Sequence, residues 1–268
     1  MDRTRMALDK ARKQRSRGRP VFFVQSMPST NVNPAPIQYR ETRVVEVSPE
    51  TLRANCIIAG QDGDPTANIY RILRSQILKK LADGGWSTLA VCSARQGEGK
   101  TVTAINLAIS LAQDVNQTVL LVDLDLRDPA VASTFGIVPE YGLDDYLRGR
   151  AELSQCLINP SHERLVLLPM RAPMDKSSEV LGSPAMARLA NEMKNRYPDR
   201  IVIYDMPPAL ETDDCLAFMP NVDATLFVVA EGESSASDIK RSLTLLKHCH
   251  VIGTVLNKSL EVKVSAVA

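Results

Sequence analysis

The sequence predicts an α/β fold, a mostly parallel sheet with helices on both faces, and three observations lead there. Apolar runs of strand length recur near 87–92, 118–123, 165–169, 200–205, 224–230 and 250–256, and segments of helical length alternate with them near 100–113, 183–196, 213–219 and 236–247. Those runs are close to continuous in Val, Ile, Leu and Ala, as strands buried on both faces must be. The first run leads into a glycine-rich loop and two later runs end in aspartates, so polar chemistry collects where open α/β sheets bind ligands, at the carboxyl ends of strands.

Residues 1–20 carry eight Lys or Arg against Asp2 and Asp9, a net of +6, which leaves −5 for the rest of the chain. A helix is expected over 2–17. Residues 18–43 read as a linker, because Pro20, Pro28, Pro34 and Pro36 among Ser and Asn cannot build a core. A short helix follows at 49–57, then a longer one at 66–82 that stops at Asp83-Gly84-Gly85. The expected division is a basic helix and linker over 1–43, a helical lead-in over 44–84, and the main domain over 85–268. With 268 residues, 44% of them hydrophobic, one core of this size buries enough apolar surface to stand alone.

The loop is Ala94-Arg95-Gln96-Gly97-Glu98-Gly99-Lys100-Thr101, directly after the strand Ser87–Cys92 and before a helical run that starts at Val102. This is the spacing of a phosphate-binding loop and predicts a P-loop NTPase fold. Gly97 and Gly99 let the backbone wrap closely, the free N–H groups of the helix start point at phosphates, Lys100 reaches the β/γ-phosphates and the Thr101 hydroxyl ligates Mg²⁺. The expected ligand is a Mg²⁺-nucleotide. Asp123 and Asp125 end the next strand with period two, which puts both carboxylates on one side. Such neighbours repel unless a cation lies beside them; the alternative is a turn capped by Asp. Asp205 ends a further buried strand, the usual place for a metal or water contact. Asn257, closing the last strand, is placed either to contact the adenine or to cap a turn.

Taken together, Gly97-Glu98-Gly99-Lys100-Thr101, Leu120-Leu121-Val122-Asp123-Leu124-Asp125-Leu126-Arg127 with Pro129, and Asp205-Met206-Pro207-Pro208 resemble the Walker A, A′ and B motifs of the bacterial tyrosine kinases. These are the autokinases that accompany capsule and exopolysaccharide export, here most similar to the exosortase-linked type. Gly142–Gly149, Ser178–Ser183, Thr212-Asp213 and Gly253–Asn257 agree as well, so the resemblance covers about residues 65 to 258. It implies an ATP- and Mg²⁺-dependent protein tyrosine kinase, with Lys100 and Thr101 holding nucleotide and metal, Asp125 and Asp205 organising the metal, and Asp123 orienting or deprotonating the attacking hydroxyl. It also implies an inner-membrane polysaccharide chain-length regulator on a separate chain as partner, and homo-oligomers.

Three departures accompany those matches. Gln96 stands where the family commonly has Pro, a change expected to matter little. Asn68 replaces the Glu of the oligomerisation helix, which keeps Arg71 and Arg74. The chain ends Asn257-Lys258-Ser259-Leu260-Glu261-Val262-Lys263-Val264-Ser265-Ala266-Val267-Ala268 without the family's tyrosine cluster, so autophosphorylation is left open. Its six tyrosines are Tyr39, Tyr70, Tyr141, Tyr146, Tyr197 and Tyr204, of which Tyr39 is expected to be the most exposed and Tyr204 to be buried.

Other function classes find less support. No stretch approaches the roughly 20 apolar residues that span a bilayer, and Val21-Phe22-Phe23-Val24 is too short for a signal-peptide core, so the chain is expected in the cytoplasm. The basic arm suits peripheral contact with an anionic membrane or an acidic partner, or is merely a solvated helix; nucleic acid is not the expected partner. Five cysteines show no metal-ligand spacing, and His248-Cys249-His250 lacks further ligands nearby. The alternatives are a partition or septum-site ATPase, which would carry a signature lysine where this chain has Arg95, and a nucleotide-sensing regulator without catalysis.

Overall fold

The computed structural model describes residues 42–61 and 67–259, with no helix among them long and apolar enough to cross a membrane. The helix expected over 2–17, nearly all of the linker, Tyr39 and residues 260–268 lie outside the described residues.

Eight strands form one sheet in the order β1-β4-β5-β3-β6-β2-β7-β8. They are β1 (Arg43–Val44), β2 (Thr88–Ser93), β3 (Thr118–Asp123), β4 (Ile158–Asn159), β5 (Leu165–Leu168), β6 (Arg200–Asp205), β7 (Ala224–Ala230) and β8 (Val251–Asn257). Every neighbouring pair is parallel except β4 and β5. All residues of β2 and β7 are buried, as their unbroken apolar runs require. The expected strands are therefore present; β1 and β4, two residues each, are too short for any periodicity to announce them.

Helices cover both faces. On one side α2 (Ala67–Gly84) packs through Ile77 and Leu81, and α3 (Lys100–Ala112) through nearly every residue from Thr103 on, against Leu89, Val91, Leu121 and Ile203. On the other, α8 (Pro184–Asn195) contributes Met186 and Leu189, and α9 (Asp214–Phe218) contributes Cys215 and Phe218, against Leu120, Val202, Tyr204 and Phe227. α10 (Ala236–Leu245) lies on this second face, its chain continuing into buried Leu246. Four shorter helices, α4 (Val131–Thr134), α5 (Leu143–Leu147), α6 (Leu153–Cys156) and α7 (Ser177–Leu181), fill the connections.

The helix expected over 49–57 is shorter. As α1 (Pro49–Ala54) it starts at Ser48, whose hydroxyl accepts the Thr51 N–H at 3.1 Å, and it ends when Cys56 turns to φ 57°. That turn drops Ile57 into the core and lets its N–H reach the Leu52 carbonyl at 2.7 Å. Core burial outweighs helix continuation here.

For the site, the consequence of this topology is that β3, β6 and β2 are neighbours. Asp123 and Asp205 are register partners, and Asp205 is also the register partner of Val91 on β2. The loop after β2 and both strand-end acids thus share one edge of the sheet.

Candidate nucleotide site

The loop leaves buried β2 and re-enters order at Lys100, the first residue of α3. Gly97 and Gly99 hold φ of 83° and 89°, the left-handed region that glycine occupies without strain. At Gly99 space is closed as well, since a Cβ there would stand 1.9 Å from Asn257 Nδ2. Asn257 donates that amide to the Glu98 carbonyl at 3.0 Å, so the end of β8 braces the loop from behind.

Glu98 is the loop's internal strut. Its carboxylate, 3% exposed, accepts the N–H groups of Ala94 at 2.7 Å and Arg95 at 3.0 Å, while the Ser234 hydroxyl donates to its other oxygen. Arg95 turns its side chain outward and grips Asp238 with two bonds, at 2.8 and 3.2 Å. Gln96 joins three segments. Its N–H donates to Glu211 Oε1 at 2.9 Å and its side-chain amide donates to Asp128. A proline at this position has no N–H and no amide, so the departure expected to matter little adds two links, one to the segment after β3 and one to the segment after β6.

Lys100 Nζ donates to Asp125 Oδ2 at 2.8 Å, and Thr101 Oγ1 donates to Asp205 Oδ2 at 2.6 Å. Asp123 accepts the Val131 N–H at 3.0 Å and the Asp125 N–H at 3.3 Å. Three buried carboxylates therefore face one buried lysine. Burial opposes the charge on Lys100, but Asp205, Asp125 and Asp123 more than offset it and raise its pKa. Burial raises the pKa of Asp123 well above the usual carboxylate range, with the Asp205 charge adding to it, and lifts that of Asp205 to about 6 despite Lys100 and Thr101.

This charge excess fits a cation. Asp205 Oδ1 is buried with no hydrogen-bond partner among the described residues, and the oxygens around it, from Thr101, Asp125 and Asp205, are the hard donors Mg²⁺ takes. Among the described residues no three His, Cys, Asp or Glu side chains gather into a metal cage. Mg²⁺ is ordinarily bound through one or two carboxylates plus phosphate oxygens and waters, so none is required.

Every residue expected at the site lies on this edge: Ala94 to Val102, Asp123, Asp125, Asp205 and Asn257. Glu211, Ser234 and Asp238 join them without any signal in the sequence spacing. Among the tyrosines, Tyr204 is fully buried and Tyr70 half-buried, its hydroxyl pushed up to about 12 by desolvation, whereas Tyr197 is 44% exposed with the Arg200 guanidinium 4.1 Å above its ring. Arg71 bonds Asn68 within α2 at 2.9 Å, and Arg74 donates to the Ser110 carbonyl of α3 at 2.8 Å.

A buried strand, a left-handed glycine loop at a helix start, and a lysine and threonine facing strand-end acids define a P-loop nucleotide-binding protein. A family model described as an AAA domain matches residues 86–262. Tyrosine-protein kinase YwqD of Bacillus subtilis is 28% identical over 208 residues, 77% of this chain and 86% of that protein. Succinoglycan biosynthesis transport protein ExoP of Rhizobium meliloti is 30% identical over 213 residues, 77% of this chain but 27% of that longer protein. The crystal structure of the VpsO kinase domain superposes with a TM-score of 0.65 at 27% identity, covering 72% of this chain and 95% of that one. The chain belongs to the bacterial tyrosine kinase family. These likenesses favour the kinase reading over the partition-ATPase alternative.

Proposed function

We propose that this protein is a Mg-ATP-dependent protein tyrosine kinase that regulates exopolysaccharide or capsule polymerisation and export from the cytoplasmic side of the inner membrane. The observation that carries the proposal is the pairing of Lys100 with Asp125 and of Thr101 with Asp205, beside Asp123. The start of α3 and the loop N–H groups bind the phosphates. Lys100 leaves Asp125 for the β/γ-phosphates, and Asp125, Asp205 and Thr101 are the residues that would hold Mg²⁺. Held there, the ion would supply charge neutralisation for phosphoryl transfer. Asp123, whose burial raises its proton affinity, orients the tyrosine hydroxyl and takes its proton. Phosphoryl transfer asks the protein chiefly for in-line positioning and charge, which these groups provide.

Tyr204 is too buried to serve as an acceptor, so the phosphoacceptor is a tyrosine of another protein or an exposed one such as Tyr197. The membrane partner is a separate chain-length regulator whose cytosolic segment activates the kinase. Residues 1–43 form a basic tether, 44–84 a lead-in and 85–268 the catalytic domain. Phosphotyrosine mass spectrometry after incubation with Mg-ATP, with and without that partner segment, tests the assignment. The parent should acquire phosphotyrosine or transfer it to the partner, and Lys100→Met should abolish this with the fold intact. Equal turnover in parent and Lys100→Met would refute the kinase site.

A further inference from the structure

At the amino ends of β3, β5 and β6, opposite the phosphate loop, lies a cavity of about 450 Å³, within the range of small-molecule sites. Its apolar lining includes Leu153 and Leu157, which are part-exposed, and the core residues Leu120, Val166, Leu168 and Met193. Arg164, at the turn into β5, lines it in an unusual state. The residue holds φ 66°, is 8% exposed, and among the described residues its guanidinium has as its charged partner only Glu163, 3.5 Å away and itself largely in solvent. That separation is beyond hydrogen-bond length. Its nitrogens are not sealed from solvent, so the guanidinium opens onto the cavity with no anion among the described residues closer than Glu163.

The other basic groups of the cavity are engaged. Arg196 pairs with Glu192 at 3.2 Å, and Arg200 lies over the Tyr197 ring. Asp199 is the remaining acid on the wall, and Thr118 adds a buried hydroxyl with no hydrogen-bond partner among the described residues. We propose that this cavity binds a small amphiphile, a single anionic group on an apolar body, with Arg164 pairing the anion and the part-exposed Leu153 and Leu157 taking the apolar part. The site is independent of the nucleotide site and of the kinase assignment.

Titration calorimetry on the full chain, with Mg-ADP present to occupy the phosphate loop, tests this with decyl phosphate, inorganic phosphate and decan-1-ol below their aggregation concentrations. Decyl phosphate should bind with one-to-one stoichiometry, about tenfold or more tighter than either of the other two, because a charged pair and apolar burial act together. Arg164→Met should weaken it by about tenfold or more. Ser154→Trp, at an exposed position on the wall, should do so without touching the core, and both variants should bind Mg-ADP like the parent. No binding of decyl phosphate to the folded parent overturns the proposal. So does equal affinity for decan-1-ol, parent-like binding by both variants, or binding that disappears when Mg-ADP is added.

Discussion

Asp205 serves two opposed ends, a buried place in the sheet and a negative charge at its edge. Burial raises its pKa from 3.8 to about 6, with Lys100 and the Thr101 hydroxyl pulling the other way. Between those values the folded chain keeps a proton that the unfolded chain has lost, so this carboxyl lowers stability as pH rises from about 4 to 6. Asp145, whose pKa is lowered by hydrogen bonds from Arg171, contributes in the opposite sense, adding stability that is lost as pH falls. The difference between variant and parent removes Asp145 and reads Asp205 together with its effect on Asp123. Without nucleotide, the stability of Asp205→Asn relative to the parent should improve by on the order of 2–3 kcal/mol between pH 4 and 7. Calorimetric unfolding across that range checks it; a difference that stays flat with pH would show that Asp205 titrates as an ordinary carboxyl. The sequence revealed Asp123, Asp125 and Asp205 through their place at strand ends. It could not reveal that Glu98 turns inward or that Gln96 reaches Asp128 and Glu211, because those contacts depend on where three loops meet.

The loop, α3 and β8 form one mechanical unit. Gly99 stands at φ 89° with Asn257 Nδ2 where its Cβ would be, so two separate costs attach to a side chain there. Gly99→Ala should destabilise by about 2–3 kcal/mol or more, from backbone strain of 1–3 kcal/mol plus the clash. Asn257→Gly alone should cost about 1 kcal/mol, since the Glu98 carbonyl loses its donor. Combined, the two should cost less than their sum, because removing Asn257 relieves the clash while the φ strain stays. Denaturant unfolding of the four proteins in that cycle provides the measurement, and strict additivity would mean that β8 does not brace the loop. Strand and helix identities at this scale were legible, for the apolar runs and helical spacing are local signals. The end of α1 was not, since Ile57 was drawn into a core that the surrounding sequence does not display.

For the whole molecule, charge asymmetry bears on recruitment. Residues 1–20 carry a net of +6 on a chain whose total is +1. At about 1 kcal/mol per basic residue near an anionic surface, such an arm would hold the kinase to a membrane weakly and in a salt-dependent way. Removing residues 1–20 should reduce cosedimentation with phosphatidylserine vesicles at low salt while leaving ATP affinity unchanged, and high salt should erase the difference between the two proteins. Identical vesicle binding at every salt concentration would rule out the arm as a tether.

The sequence by itself determined the α/β alternation, the phosphate loop and the three strand-end acids, because hydrophobic period and glycine-lysine-threonine spacing are properties of adjacent residues. Tertiary structure alone decided that Asp123 and Asp205 stand in register across neighbouring strands and that Asn257 closes on Glu98 across 159 residues. It also decided that Arg164 is buried beside a cavity where, among the described residues, its ion pair is with Glu163 at 3.5 Å. Strand order fixes those contacts, and strand order is set by how the whole sheet buries its two faces, a competition that no local stretch of the chain records.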